Sequence, residues 1–234
     1  DLRMSRGLGD VYKRQVLFSA FLIGCITLVA CQQKNSPKLE EANLTDNATS
    51  TSSQMAECEI KVGDVTFTRS INGADTCVSL LADGALEFHC REGLDFFCDP
   101  NEGKLSNNTL PVLLIPTDNT KPFTLTAKVT PEFTAEGLYN AADLFVYVND
   151  TLWQKLAFEQ DEYGNHRIVS VRTQGTSDDN NHDRIDAKSV YMKISSDTRT
   201  IASYYSLDKK EWHMVRLYRN YYPDSCLLYT SDAA

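Results

Sequence analysis

From Cys58 to about Tyr222 the chain runs in short stretches rich in β-branched and aromatic residues, broken every 8 to 12 residues by Gly, Asn, Asp or Pro. Stretches that short suit strands, not helices that must nucleate, and the regular breaks are turn signals. The pattern predicts an all-β fold: many short strands closed into a sandwich or barrel. Strands are expected over residues 65–68, 85–90, 123–130, 144–148, 153–159, 168–173, 190–195, 200–205 and 212–218. In one of them, Phe123, Leu125, Ala127 and Val129 alternate with Thr124, Thr126, Lys128 and Thr130, the signature of a half-buried strand.

The ends of the chain have a different character. Residues 16–30 are apolar or small and follow Lys13 and Arg14, the order of a secretory signal, and the run is too short for a comfortable membrane span. Leu28, Val29, Ala30 and Cys31 resemble a bacterial lipobox, so residues 16–31 are expected to be a lipoprotein signal peptide with Cys31 as the lipid anchor. Leu22 to Cys25 fits the same pattern, but cleavage there would leave a stub of apolar leader. Residues 32–56 carry no aromatic side chain and are crowded with Ser, Thr, Asn and Gln, which reads as a flexible tether spanning on the order of 25 to 30 Å. Gln32 and Gln33 stand where an inner-membrane retention signal would place Asp, so the expected location is the cell envelope at the outer membrane. Residues 1–15 and 225–234 resemble translated sequencing-adapter read-through, which sets them and Cys226 apart from the domain expected over residues 57–224.

Composition narrows the partners. The 42% of hydrophobic residues can build a core, and a net charge of -9 is the wrong sign for a nucleic-acid partner.

Three stretches carry a more specific signal: AADLFVYVNDTLWQKLAFE, then VRTQGTSDD, then VYMKISSDTRTIASYYSLDKKEWHMVRLY. Together with Leu94-Asp95-Phe96 and the strand from Pro111, they resemble the concanavalin A-like domain family of unknown function typified by "regulation of enolase" proteins and the C-terminal module of β-xylosidases. The resemblance covers about residues 65–218 and is strongest at Trp153-x-Lys155-x-x-x-Glu159. It implies a two-sheet jelly-roll sandwich with one concave sheet. The chain departs from the family pattern at Asn140-Ala141-Ala142-Asp143, where the family has D-Q-A-G, and at Asp179, where a Trp often follows S-D.

Alternation puts Trp153, Lys155 and Glu159 on one strand face, opposite Gln154, Leu156 and Phe158, with Tyr147 as a neighbour from the preceding strand. An aromatic ring beside a cation and a carboxylate suits a shallow glycan site, and these four residues are the expected ligand surface. The competing reading packs Trp153 beneath a loop and pairs Lys155 with Glu159 or an adjacent strand.

The loop expected from Ser177 to Asp183 offers oxygen ligands that suit calcium, although it lacks EF-hand spacing. His89, His166, His182 and His213 show no metal-ligand spacing, so no metal site and no other cofactor is expected. Cys58, Cys77, Cys90 and Cys98 are an even number in an exported domain and are disulfide candidates with three possible connectivities. The hairpin from Ser206 to Trp212 reads as scaffold, with Lys209 where Gly would ease a positive φ.

No catalytic residues are assigned. Glu159-Gln160-Asp161 begins the E-x-D-x-x-E pattern of jelly-roll glycan hydrolases, then breaks at a turn around Gly164. The reading favoured is a non-catalytic envelope lipoprotein that binds a glycan or surface polymer. A glycoside-active or degenerate hydrolase, which needs two carboxylates across a cleft, and a structural lipoprotein docking on a protein partner, which needs a large apolar patch, are the alternatives.

Overall fold

The computed structural model describes residues 53–134 and 139–233. The segment expected to be a signal peptide, Cys31 and most of the expected tether lie outside the described residues. The strands in chain order are β1 (Met55–Val62), β2 (Val65–Ile71), β3 (Val78–Leu80), β4 (Leu86–Phe88), β5 (Phe96–Cys98), β6 (Leu105–Asn108), β7 (Val112–Asp118) and β8 (Phe123–Val129). They continue as β9 (Ala141–Asn149), β10 (Leu152–Gln160), β11 (His166–Gln174), β12 (Thr176–Arg184), β13 (Val190–Ser196), β14 (Thr200–Ser206), β15 (His213–Arg219) and β16 (Ser225–Ala233). No α-helix occurs among the described residues.

Eight strands form one antiparallel sheet in the order β1-β2-β7-β16-β9-β10-β11-β12, and four form a second in the order β15-β14-β13-β8. Hairpins β3-β4 and β5-β6 stand apart as two-stranded pieces. The chain is thus the all-β, two-sheet sandwich that its turn spacing requires.

Period-two alternation explains how the sheets stack. Leu125, Ala127 and Val129 of β8, with Val190, Met192 and Ile194 of β13, meet Leu144, Val146, Leu156, Phe158 and Ile168 of the large sheet in one core. Gln154 points into the same interface, where it donates to Ser203 Oγ and accepts from the Tyr218 hydroxyl at 2.5 Å. A polar side chain buried between two sheets is tolerable because both ends of its amide are partnered.

The other face of the large sheet is buried too. Phe145, Tyr147, Trp153, Ala157, Val169 and Val171 pack beneath Ile71, Leu94, Phe96 and Leu110. A third cluster joins Phe67, Ala74 and Leu113 under hairpin β3-β4.

Two boundaries differ from the sequence expectation. The tether was expected to run through Ala56, yet β1 begins at Met55 and the Ser53 backbone already donates to Asp150 Oδ2 at 2.8 Å. Residues 225–234 were expected to stand outside the domain, yet β16 pairs with β7 on one side and β9 on the other. Cys226 and Leu228 are buried in the inter-sheet core. The run Cys-Leu-Leu-Tyr-Thr is strand-forming, and a position between two strands satisfies both of its backbone edges.

Candidate functional site

Strand β10 is an interior strand, paired throughout with β9 and β11. Trp153, Lys155 and Glu159 do share its face, as alternation predicts, but that face is not a solvent-exposed platform. Trp153 is 0% exposed. Its ring packs edge-on against Phe96 at 6.0 Å, and its Nε1 donates to the Asp150 carbonyl at 3.0 Å. Tyr147 is buried beside it and donates its hydroxyl to Asp150 Oδ1 at 2.8 Å. The stacking role expected of both residues is therefore corrected: the segment Leu94 to Cys98 lies over them and makes them core.

Asp150, which the sequence reading passed over, organises this end of the sheet from the β9–β10 turn. Besides Tyr147 and Trp153, it takes the Ser53 backbone amide, and its carbonyl accepts from the Cys98 thiol at 3.4 Å. Only a residue whose backbone and side chain both turn inward can collect these donors, and spacing does not reveal that.

Lys155 and Glu159 build something different. Lys155, 5% exposed, sends its Nζ to Asp95 Oδ1 at 2.6 Å. Asp95 is placed for this by the residues around it: its carbonyl accepts from the Thr109 amide at 2.9 Å and its carboxylate from the Phe96 amide at 2.7 Å. Across the sheet, Asp143 of β9 stands opposite Ala157, between Lys155 and Glu159 in register. In β12, Asp179 stands opposite Val171, which is itself opposite Lys155. One buried ammonium thus contacts Asp95 and lies in the field of three further carboxyl groups, those of Asp143, Glu159 and Asp179.

The electrostatics follow from this crowding. Burial alone would push the Lys155 ammonium down, but Asp95, Asp143 and Glu159 outweigh it and hold the group above the ordinary lysine value. Glu159, 8% exposed, is driven up to about 8 by burial, with Lys155 opposing and Asp143, Asp179 and Asp95 adding to the rise. Asp179 is also raised, first by the partial desolvation its neighbours impose on an otherwise exposed side chain, and against the pull of Lys155. At neutral pH Glu159 is therefore mostly a neutral donor beside charged acceptors, an arrangement seen where acid and acceptor roles are divided between carboxylates.

Asp179 is exposed, and Tyr139 is 55% exposed with a left-handed φ of 61°. The Tyr139 backbone amide is held by the Gln160 carbonyl at 2.9 Å, and its hydroxyl lies within the field of Glu159 and Asp179. The result is a buried charged group flanked at the surface by an exposed aromatic ring and an exposed carboxylate.

Three further segments were singled out by the sequence. The segment from Ser177 to Asp183 is part of strand β12, not a loop, so its successive side chains point to opposite faces. Ser177 faces Thr173 at 2.8 Å, whereas Asp178 meets Arg216 at 3.1 Å. Among the described residues no three His, Cys, Asp or Glu side chains are grouped as a metal site requires. No disulfide joins the four cysteines in this structure, which leaves their pairing to be tested. Cys58 and Cys98 donate instead to the carbonyls of Phe67 and Asp150, at 3.6 and 3.4 Å. In the Ser206–Trp212 hairpin, Lys209 does adopt a positive φ of 63°, Asp208 accepts from the amides of Lys210 and Glu211, and Trp212 lies under Lys193 Nζ at 3.9 Å.

The sequence pattern of the family described as "Protein of unknown function (DUF1349)" matches residues 74–225. Among curated proteins, no sequence matches the chain. Of solved structures, a functionally unknown protein from Saccharomyces cerevisiae is 20% identical, over 78% of this chain and 86% of that one, with a TM-score of 0.60. The GH43 BlXynB protein from Bacillus licheniformis is 16% identical over 72% of this chain and 32% of its own length, with a TM-score of 0.52. The xylan β-1,4-xylosidase from Bacillus halodurans C-125 is 14% identical over 88% of this chain and 38% of its own, also with a TM-score of 0.52. The chain spans about a third of each of these two enzymes. At such identities the likeness speaks for the fold.

Proposed function

The chain belongs to the DUF1349 family of proteins of unknown function, and from that premise we propose that it binds a saccharide over the Lys155 charge cluster, at exposed Tyr139 and Asp179, without hydrolysing it. The observation that carries the reading is the mixed donor and acceptor group: a charged Lys155, a protonated Glu159 and the carboxylates of Asp95 and Asp179 within one field. Sugar hydroxyls both donate and accept, so they match such a group better than a uniformly charged ligand would. The exposed Tyr139 ring beside it takes over the stacking role that the sequence assigned to Trp153 and Tyr147. The fold shared with parts of two GH43-type and xylosidase proteins makes xylo-oligosaccharides the first probes.

Calorimetric titration with xylo-oligosaccharides, backed by a glycan array, tests the reading. Tyr139→Ala and Asp179→Asn, both at exposed positions, are expected to weaken binding at least several-fold without lowering the melting temperature. Unchanged binding in both variants would overturn the site.

Glu159 supports a second reading, since a carboxyl held near pH 8 beside ionised carboxylates is what a glycosidase acid requires. Release of reducing ends from the same oligosaccharides, lost in Glu159→Gln, would favour hydrolysis over binding.

We further propose that the domain is displayed on the cell envelope by lipid on Cys31. The support is the apolar run and Leu28-Val29-Ala30-Cys31. Metabolic palmitate labelling is expected to disappear in Cys31→Ser, and labelling that persists would refute the anchor.

A further inference from the structure

Hairpin β3-β4 carries Cys77 and Cys90 just outside its two ends. Val78 pairs with Phe88, and the His89 amide donates to the Cys77 carbonyl at 2.7 Å, which closes the hairpin immediately before Cys90. The two thiols lie within hydrogen-bond reach of each other. Both are partly exposed, and both line one open cleft of about 460 Å³ with Asn72, His89, Arg91 and Leu94. The other described cysteines are placed differently. Cys58 and Cys98 are engaged with backbone carbonyls, and Cys226 is buried between the sheets.

We infer that Cys77 and Cys90 form a disulfide clasp that small disulfides in an oxidising compartment can close, and that Cys58, Cys98 and Cys226 take no part in it. The oxidant is a low-molecular-mass disulfide such as oxidised glutathione. The thiolate of one cysteine attacks a sulfur of that disulfide, breaking its S–S bond and releasing one small thiolate, which takes up the proton the cysteine gave up. The second cysteine, deprotonated in turn, attacks the protein sulfur of the mixed disulfide and expels a second small thiol. One protein disulfide forms, two protein thiols are oxidised, and one small disulfide is reduced to two thiols.

The clasp would close the segment that holds β3 and β4 and fix the start of the stretch leading to Asp95, the partner of Lys155. A cross-link there removes freedom from the unfolded chain, so the oxidised protein is expected to melt at a higher temperature than the reduced one.

The test is to treat the folded protein with oxidised glutathione, block remaining thiols with an alkylating reagent under denaturing conditions, digest without reductant and identify linked peptides by mass spectrometry. The expected product is one linkage, Cys77 to Cys90, with Cys58, Cys98 and Cys226 alkylated. Cys77→Ser and Cys90→Ser should each leave the other thiol open to alkylation or carrying glutathione, and should abolish the rise in melting temperature on oxidation. A linkage to Cys58, Cys98 or Cys226, or full alkylation of both Cys77 and Cys90 after oxidation, would overturn the inference.

Discussion

Lys155 Nζ lies 2.6 Å from Asp95 Oδ1, joining an interior strand of the large sheet to the segment that covers it. The lysine side chain is 6% exposed and the aspartate 39%, so the pair bridges from the interior to the surface. Such a pair does not have to be strongly stabilising as a whole, because desolvation offsets much of its attraction. Removing only the cation is another matter, since Asp143 and Glu159 depend on it as well.

Lys155→Met should therefore destabilise the fold by about 3 to 5 kcal/mol, the cost typical of stripping one partner from a buried charge group. Adding Asp95→Asn should recover part of that loss and no more, because Asp95 is partly solvated. Chemical denaturation of both single variants and the double measures the coupling, and strict additivity would show that the two side chains do not interact.

Glu159 makes stability depend on pH in a defined direction. Its folded-state pKa is raised to about 8 from an ordinary 4.5, so the folded state binds the extra proton between those values. The associated stability is complete below about pH 4.5 and is lost as pH rises through 8, with a slope of up to roughly 1.4 kcal/mol per pH unit inside that window. Urea denaturation from about pH 5 to 8 should show this fall in the parent protein and a flatter profile in Glu159→Gln. Parallel profiles would place the titrating proton elsewhere.

Trp153 separates core from ligand surface. Trp153→Ala should cost about 3 to 5 kcal/mol through the cavity it leaves. Trp153→Phe, which keeps most of the packing and loses the bond to the Asp150 carbonyl, should cost less, about 1 to 3 kcal/mol. Thermal melts alongside xylo-oligosaccharide titrations should show lower stability and unchanged affinity for the Phe variant.

Truncation after Asp224 removes the strand that lies between β7 and β9. The shortened chain should lose its sharp cooperative unfolding transition, because two interior strands are then left with open edges. A truncated protein that melts like the full chain would show that residues 225–234 can be spared.

The sequence by itself determined the all-β class, the sandwich and the alternation of individual strands. Turn residues and a period of two are local properties: Phe123 to Val129 and Trp153 to Glu159 divide between their two faces as their spacing demands. It also held the residues of the charged cluster in view, since Asp95, Asp143 and Asp179 all fall in the stretches that resemble the family. What alternation cannot say is what lies over a face. Only the tertiary structure decided that Leu94 to Cys98 covers Trp153 and Tyr147 and turns an expected binding platform into core. Only it brought carboxylates from four segments around one lysine, and only it put Cys77 and Cys90 side by side among several possible pairings. Contacts between distant segments arise from how sheets and loops stack, and a strand's own sequence records which side it buries but not against what.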